Sequence, residues 1–104
     1  MKDNLEPGVC SKKLAALASP DRLRIIQLLR AGPRNVGEIA SELAIPVVNA
    51  SHHLNVLLAE GLVCNRKDGR HVVYSLPPGA LQSGTDSEHL DLGCCRLEIP
   101  KPEE

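Results

Sequence analysis

Two adjacent cysteines, Cys94 and Cys95, have the most distinctive chemistry in this 104-residue chain. Neighbouring Cα atoms lie about 3.8 Å apart, below the roughly 4.4 to 6.8 Å that a disulfide usually spans, so the two are poor partners for a disulfide with each other. As thiolates they can bind one soft ion together, because soft sulfur ligands select soft metals. The pair therefore predicts a site for a metalloid or soft metal, where trivalent arsenic or antimony takes a third thiolate.

The third thiolate comes from one of the two other cysteines. Cys10 is the first choice, because it lies next to the first predicted helix, and it belongs to the same subunit or to the other one. Cys64 is the second choice, because it lies on a predicted strand, where a packed free thiol is the simpler interpretation. Two other interpretations of the Cys94-Cys95 pair stay open: redox sensing by reactive thiols, and two small apolar residues in a docked segment.

A second group of residues carries positive charge. Residues 1–79 contain ten Lys or Arg and seven Asp or Glu, a net charge of +3, whereas residues 80–104 contain two and six, a net charge of −4. This asymmetry permits nucleic-acid binding by the first part of the chain without requiring it. The basic residues whose spacing lets them reach neighbouring phosphates are Arg66, Lys67, Arg70 and His71, joined by the isolated Arg34.

Mainly uncharged residues follow one side of the fourth predicted helix, opposite its leucines. Asn makes paired hydrogen bonds to adenine and Val contacts the thymine methyl group, so this side is suited to reading base edges in a major groove. The candidate base-reading residues are Val48, Asn49, Ser51, His52 and Asn55. His53 lies at the edge of the leucine side, where we expect a half-buried histidine bonded to the backbone rather than a ligand.

The first two of four predicted helices begin at serine caps. Residues 1–10 lack periodicity and predict a tail, and Ser11 is placed to cap the first helix. Ser19-Pro20 begins the second helix, since proline fits the first helical position, where no amide bond is lost. Gly32-Pro33 ends it.

The third and fourth helices are joined by a very short connector. Asn35 with Glu38 forms a capping-box pattern at the start of the third helix. The fourth helix runs from Val47 to about Glu60. Two helices joined so tightly are forced to cross, which is the helix-turn-helix geometry.

Beyond the fourth helix the hydrophobic period changes to two. Asp68-Gly69 predicts a two-residue hairpin turn, which sets Val63 opposite Tyr74. Residues 88–99 are ambiguous and favour an extended structure. The predicted fold is mainly α with a β-hairpin, an α+β winged helix-turn-helix. In this fold the second crossing helix enters the major groove of DNA, while the hairpin contacts the DNA backbone.

Length and composition exclude several classes of protein. The chain is long enough for one domain, with a tail at 1–10, a DNA-binding domain at 11–78 and an extension with the cysteine pair at 79–104. Such a short chain buries only about 60 to 65% of its unfolded surface, so a partner subunit would help. The longest apolar run is five residues, which excludes a membrane span and favours a soluble, cytoplasmic protein. An enzyme is not expected, because the histidines and cysteines lie on separate elements and there is no phosphate-binding glycine loop.

Several short motifs follow one another along the chain: PDRLRIIQLL at 20–29, VGEIA at 36–40, ASHHL at 50–54, Leu57, GLV at 61–63, GR at 69–70 and YSL at 74–76. Because they occur in the same order in the ArsR/SmtB family of winged-helix repressors, the chain resembles that family over about residues 11–78. It implies a homodimer of bacterial or archaeal origin that binds double-stranded DNA at an inverted-repeat operator. It also implies that the repressor is released from its DNA when a metal, metalloid or thiol-reactive signal binds.

The chain departs from that family at its effector sites. The thiolate pair of the arsenical-resistance repressors corresponds to residues 35–37, where there is no cysteine. The acidic and histidine ligands of the family's zinc sensors have no counterpart with the right spacing in the cluster of Asp86, Glu88, His89 and Asp91. The Cys94-Cys95 pair resembles instead a relocated arsenite site of some members.

The expected function is that of a DNA-binding repressor without a permanent cofactor. Arsenite, antimonite or another soft metal is expected to release it from DNA. A thiol-redox-responsive repressor and an effector-free winged-helix module that binds DNA or protein are the alternatives. Pro46 stands where the family usually has a Ser or Thr cap, and Val47-Val48 replace more polar residues, so the operator sequence does not follow from the resemblance.

Overall fold

The computed structural model describes residues 7–83 and 87–100 of the chain. Within them, four helices pack around an aliphatic core and two small antiparallel sheets have strand orders β1-β3-β2 and β4-β5-β6. The elements are α1 (Pro7–Leu17), α2 (Pro20–Leu29), β1 (Arg34–Asn35), α3 (Val36–Leu43), α4 (Val47–Ala59), β2 (Cys64–Asp68), β3 (His71–Ser75), β4 (Leu81–Ser83), β5 (Ser87–Asp91) and β6 (Arg96–Pro100).

The predicted caps of α2 and α3 are confirmed. The Ser19 side chain accepts a hydrogen bond from the Arg22 backbone N–H at 3.3 Å, and Pro20 is the first residue of α2. At α3, the Glu38 N–H donates to Asn35 Oδ1 and the Asn35 N–H donates to Glu38 Oε1, both at 2.9 Å. Backbone amides left without helical partners are therefore satisfied at both helix starts.

The start of α1 differs from the prediction. The helix begins at Pro7, four residues before Ser11, so residues 7–10 belong to a helix rather than to a tail. Proline suits the first helical position. The Ser11 hydroxyl donates to the Gly8 carbonyl at 3.2 Å inside the helix and does not act as its cap. Cys10 consequently occupies a fixed position on α1.

The core draws side chains from every helix. Ile25, Ile26, Ile39, Leu54 and Leu57 are almost completely excluded from solvent. The leucine side of α4 that the period of 3.6 residues predicted is therefore confirmed as the buried side of this helix.

Helices α3 and α4 are connected by three residues, 44–46. Ala44 ends α3 in the left-handed conformation with φ at 57°, which turns the chain sharply. Pro46 precedes α4 without a side-chain cap, and its carbonyl accepts the Ala50 N–H at 3.0 Å. The predicted winged helix-turn-helix is confirmed, with β2 and β3 as the hairpin.

The turn of that hairpin lies one residue beyond the predicted position. Asp68 pairs with His71, so the two turn residues are Gly69 and Arg70 rather than Asp68 and Gly69, and Tyr74 pairs with Asn65 rather than with Val63. Gly69 adopts φ +64° at the first central position, which suits a type II′ turn, whereas a type I′ turn at Asp68 would need positive φ at both residues. The shift keeps each side chain on its predicted face, because residues 63 and 65 share a face.

The extended structure expected near residues 88–99 is confirmed. Strands β5 and β6 pair from Ser87 with Pro100 to Asp91 with Arg96, and β4 joins the other edge of β5. Leu90 and Leu92 insert into the helical core. The second sheet is thus docked on the helices.

Candidate functional site

One side of α4, hereafter the reading helix, is open to solvent. Val48 is 77% exposed, and Asn49, His52 and Asn55 are also exposed, whereas Ser51 is half-buried. The opposite side is buried in the core, since Ala50, Leu54 and Leu57 have no exposed surface. This side offers amide, imidazole and methyl groups to solvent, which suit base edges and thymine methyls.

The hairpin of β2 and β3, hereafter the wing, exposes all four of its predicted cationic residues: Arg66, Lys67, Arg70 and His71. The corrected register places Arg70 in the turn itself, at the tip of the wing. Arg66 and Lys67 are successive strand residues and point to opposite faces. The wing therefore presents charge at its tip and on both sides.

Arg34 lies in β1, which pairs with β3 through Arg34 opposite Tyr74 and Asn35 opposite Val73. This two-residue strand was not predicted, because it is too short to show a hydrophobic period in the sequence. It ties the wing to the start of α3, since Asn35 is also the cap of that helix. Arg34 Nη1 donates to the carbonyls of Gly32 and Pro33 at 3.2 and 3.0 Å, and a guanidinium with five N–H donors keeps others for phosphate.

His53 is half-buried as predicted, but its partner is a side chain and not the backbone. Its Nδ1 lies 3.1 Å from Arg22 Nη1, and its Nε2 lies 3.7 Å from Asp21 Oδ2. Its neighbour His52 points to solvent, with ring centroids 5.9 Å apart. His53 therefore makes a structural contact, whereas His52 belongs to the exposed reading surface.

Three cysteines converge between α1 and the loop that joins β5 to β6. Cys10 forms a disulfide with Cys94, their Cα atoms being 5.9 Å apart, and Cys10 Sγ lies 3.6 Å from Cys95 Sγ. The three sulfur atoms lie within 4.8 Å of one another and are half-buried. We call Cys10, Cys94 and Cys95 the cysteine cluster. Cys64 lies apart from it as an exposed free thiol on β2.

The loop that carries Cys94 and Cys95 is fixed by local hydrogen bonds. Gly93 adopts φ +89°, and its N–H donates to Asp91 Oδ1 at 2.8 Å. The Leu92 N–H donates to the Cys95 carbonyl at 2.9 Å. Since Leu92 is buried in the core, this turn is held at a fixed position near α1.

Two cavities lie near the cysteine cluster. A cavity of about 270 Å³ is lined by residues 91 and 93–96, including Cys94 and Cys95. A second cavity, of about 360 Å³, lies between Lys13 on α1, the turn at 77–80 and β5. The first therefore lies beside two residues of the cysteine cluster.

A zinc site near residues 86–91 has no support among the described residues, where the cysteine cluster is the only group of three that could hold a metal. Asp86 lies outside the described residues, and the side chain of Glu88 is not described. Asp91 instead accepts the Gly93 N–H. In the described part of the chain, every helix is too short or too polar to cross a membrane.

Comparison with known proteins shows similarity to transcriptional regulators. Residues 19–64 match the family described as bacterial regulatory protein, arsR family. The chain is 41% identical over 96 residues to the HTH-type transcriptional regulator NmtR of Mycobacterium tuberculosis, an alignment covering 88% of this chain and 80% of that protein.

Solved structures agree with this. The homodimeric winged helix-turn-helix DNA-binding domain of Mb0332 from Mycobacterium bovis, described as a possible ArsR-family transcriptional regulator, superposes with a TM-score of 0.64 at 33% identity, covering 66% of this chain and 64% of that one. A crystal structure described as a possible transcriptional regulator for arsenical resistance superposes with a TM-score of 0.61 at 40% identity, covering 64% and 70%.

Proposed function

Since the chain belongs to the ArsR family of bacterial regulatory proteins, we propose that it is a cytoplasmic, homodimeric repressor released from DNA when a trivalent metalloid or another soft metal binds the cysteine cluster. The observation that carries the effector assignment is the convergence of three sulfurs within 4.8 Å from positions 10, 94 and 95. Thiolates select soft ions, and arsenite and antimonite fit three of them.

DNA binding rests on two exposed surfaces. The reading helix supplies Val48, Asn49, Ser51, His52 and Asn55 for base edges, and the wing with Arg34 supplies cations for phosphates. The reading helix has no Lys or Arg, so most of the electrostatic affinity comes from the wing. An inverted-repeat operator matches a two-fold dimer, in which the reading helices sit one DNA turn apart.

Dimer formation is supported by the homodimeric relative from Mycobacterium bovis and by apolar surface on the helices that precede the reading helix. Leu14 on α1 and Leu23 on α2 are 39% and 38% exposed. A second subunit that covers them gains about 25 cal/mol for each Å² of apolar surface buried.

Arsenite binding by the cluster requires its reduced form. Each of the three thiols gives its proton to a hydroxide that leaves arsenic, so three As–S bonds form and three waters depart. The Cys10–Cys94 disulfide ties up two of the three sulfurs and prevents this exchange. Coordination then fixes α1, through Cys10, to the loop of residues 94 and 95.

The test is fluorescence anisotropy of the full chain on a duplex from upstream of its own gene, with arsenite added to protein reduced by a phosphine. We expect release in the wild type and loss of release in Cys94→Ser and Cys95→Ser. The matched control is Cys64→Ser, which removes the exposed thiol outside the cluster and should leave release intact. Unchanged release in Cys94→Ser and Cys95→Ser would show that the pair is structural, and failure to bind duplexes at about 50 mM salt would remove the repressor assignment.

A redox-responsive repressor is the second candidate, and the Cys10–Cys94 disulfide favours it. A peroxide would oxidise the two thiols to the disulfide and be reduced to water, with both thiol protons going to the products. In that case peroxide, without arsenite, changes DNA affinity in the wild type but not in Cys10→Ser. If neither agent changes affinity, the chain is an effector-free DNA-binding module.

A further inference from the structure

Helix α1, which carries Cys10, is joined to the reading helix by two polar connections. The first uses Lys13, whose Nζ donates to the Glu60 carbonyl at 2.7 Å. Glu60 is the C-cap residue of the reading helix, where backbone carbonyls lack helical partners and a cation is favoured. Lys13 therefore fixes α1 to the last turn of the reading helix.

The second connection runs through Arg22. Its Nε donates to the Ala16 carbonyl at 2.5 Å, near the end of α1, and its Nη1 donates to His53 Nδ1 at 3.1 Å. Arginine has only donors, so His53 Nδ1 must be the acceptor and the ring proton sits on Nε2, facing Asp21. One guanidinium thus bridges α1 to the middle of the reading helix, next to His52.

Both connections start from α1, the helix that also carries Cys10 of the cysteine cluster. Lys13 and Ala16 follow Cys10 by three and six residues, roughly 4.5 and 9 Å along the helix axis. Cys10, Lys13 and the buried Leu17 share one face of α1, since they are spaced at i, i+3 and i+7. A displacement of α1 at Cys10 therefore reaches Lys13 and the Ala16 carbonyl together.

We infer that Lys13 and the Arg22–His53 pair are positioning residues that transmit the state of the cysteine cluster to the reading helix. The inference rests on the proposed function, because it concerns how effector binding releases DNA. Neither Lys13 nor His53 belongs to the exposed reading surface or to the cluster. Their removal should weaken the coupling between the two sites while leaving each site able to bind its own ligand.

The experiment measures the ratio of DNA dissociation constants with and without arsenite, in the full reduced chain. Coupling between sites typically changes affinity about 5- to 150-fold. We expect Lys13→Met to reduce the wild-type ratio several-fold. Lys12→Met is its matched control, since Lys12 is the neighbouring exposed lysine on α1, and it should keep the wild-type ratio.

The second connection is tested at His53. His53→Leu removes the acceptor and should also reduce the ratio, whereas His53→Asn keeps an acceptor near the Nδ1 position and should restore much of it. Rescue by asparagine separates a specific hydrogen bond from a general packing role. Arsenite affinity, measured by thiolate absorbance, and DNA affinity without arsenite should both stay close to wild type in Lys13→Met and His53→Asn.

Wild-type ratios in both Lys13→Met and His53→Leu would overturn the inference while leaving the proposed function intact. A loss of arsenite affinity in parallel with the ratio would also overturn it, since the residues would then support the cluster rather than the coupling. If His53→Leu does not fold, Lys13→Met and His53→Asn decide the question. If the wild type shows no arsenite-dependent change, the proposed function fails and this inference falls with it.

Discussion

The reading half of the chain, residues 19–76, and the cysteine hairpin, residues 87–100, position their functional residues by different means. In the reading half the caps act within three residues, as between Asn35 and Glu38. In the hairpin, Cys94 meets a partner 84 residues away. The reading half is therefore built largely from local interactions, whereas the cysteine cluster exists only when α1 and the hairpin both dock on the core.

This difference predicts that the hairpin depends on the reading half for its structure, whereas the reading half depends little on the hairpin. The core of the reading half supports both proposed functions, because α1 and the hairpin pack against it through Ala16, Leu17, Leu90 and Leu92. The hairpin adds two buried leucines at the edge of that core. Loss of the hairpin should spare DNA binding, while loss of the core should abolish both activities.

The largest expected effect is that of a core cavity in the reading helix. Leu54→Ala, at a fully buried position, should lower the free energy of unfolding by about 2 to 5 kcal/mol and reduce arsenite and DNA binding together. Leu90→Ala, at 1% exposure in the hairpin, should instead impair arsenite binding while DNA binding is retained. Urea unfolding and the two binding assays measure these outcomes, and parallel loss of both activities in Leu90→Ala would refute the asymmetry.

A smaller effect is expected when charge is removed from the wing. Arg66→Ala combined with Arg70→Ala should weaken DNA binding and reduce the slope of log affinity against log salt by about 0.9 for each DNA phosphate that the variant no longer neutralises. Arsenite affinity should not change, because both residues are exposed and lie outside the cysteine cluster. An unchanged salt slope would show that the wing does not touch the DNA backbone.

The same division explains which features the sequence can predict. The Ser19 and Asn35 caps, the leucine side of the reading helix and the extended structure near residues 88–99 follow from local patterns, and the structure confirms them, whereas the predicted Ser11 cap is wrong. The wing turn differs from its predicted position by one residue because Asp68-Gly69 and Gly69-Arg70 are both acceptable two-residue turns, and only the pairing of β2 with β3 decides between them.

Long-range contacts are the least predictable. The choice of Cys10 as a third ligand follows from the chemistry of arsenic and from its position beside the first helix, while its approach to Cys95 within 3.6 Å depends on tertiary packing. No pattern in the sequence indicates that Lys13 reaches the Glu60 carbonyl or that Arg22 bonds His53. These contacts link elements more than 30 residues apart, where neither periodicity nor capping rules apply.

The smallest expected effect concerns the local caps. Asn35→Ala removes the capping box of α3 and should cost about 0.5 to 2 kcal/mol of unfolding free energy. Asn35 also lies in β1 opposite Val73, so this variant should loosen the connection between α3 and the wing and weaken DNA binding as well. Ser19→Ala is the comparison, since it removes the cap of α2 with no link to the wing, and should cost similar stability without the added loss of DNA affinity. Denaturant unfolding and anisotropy on both variants measure the difference, and equal DNA affinities would mean that the strand pairing at Asn35 does not position the wing.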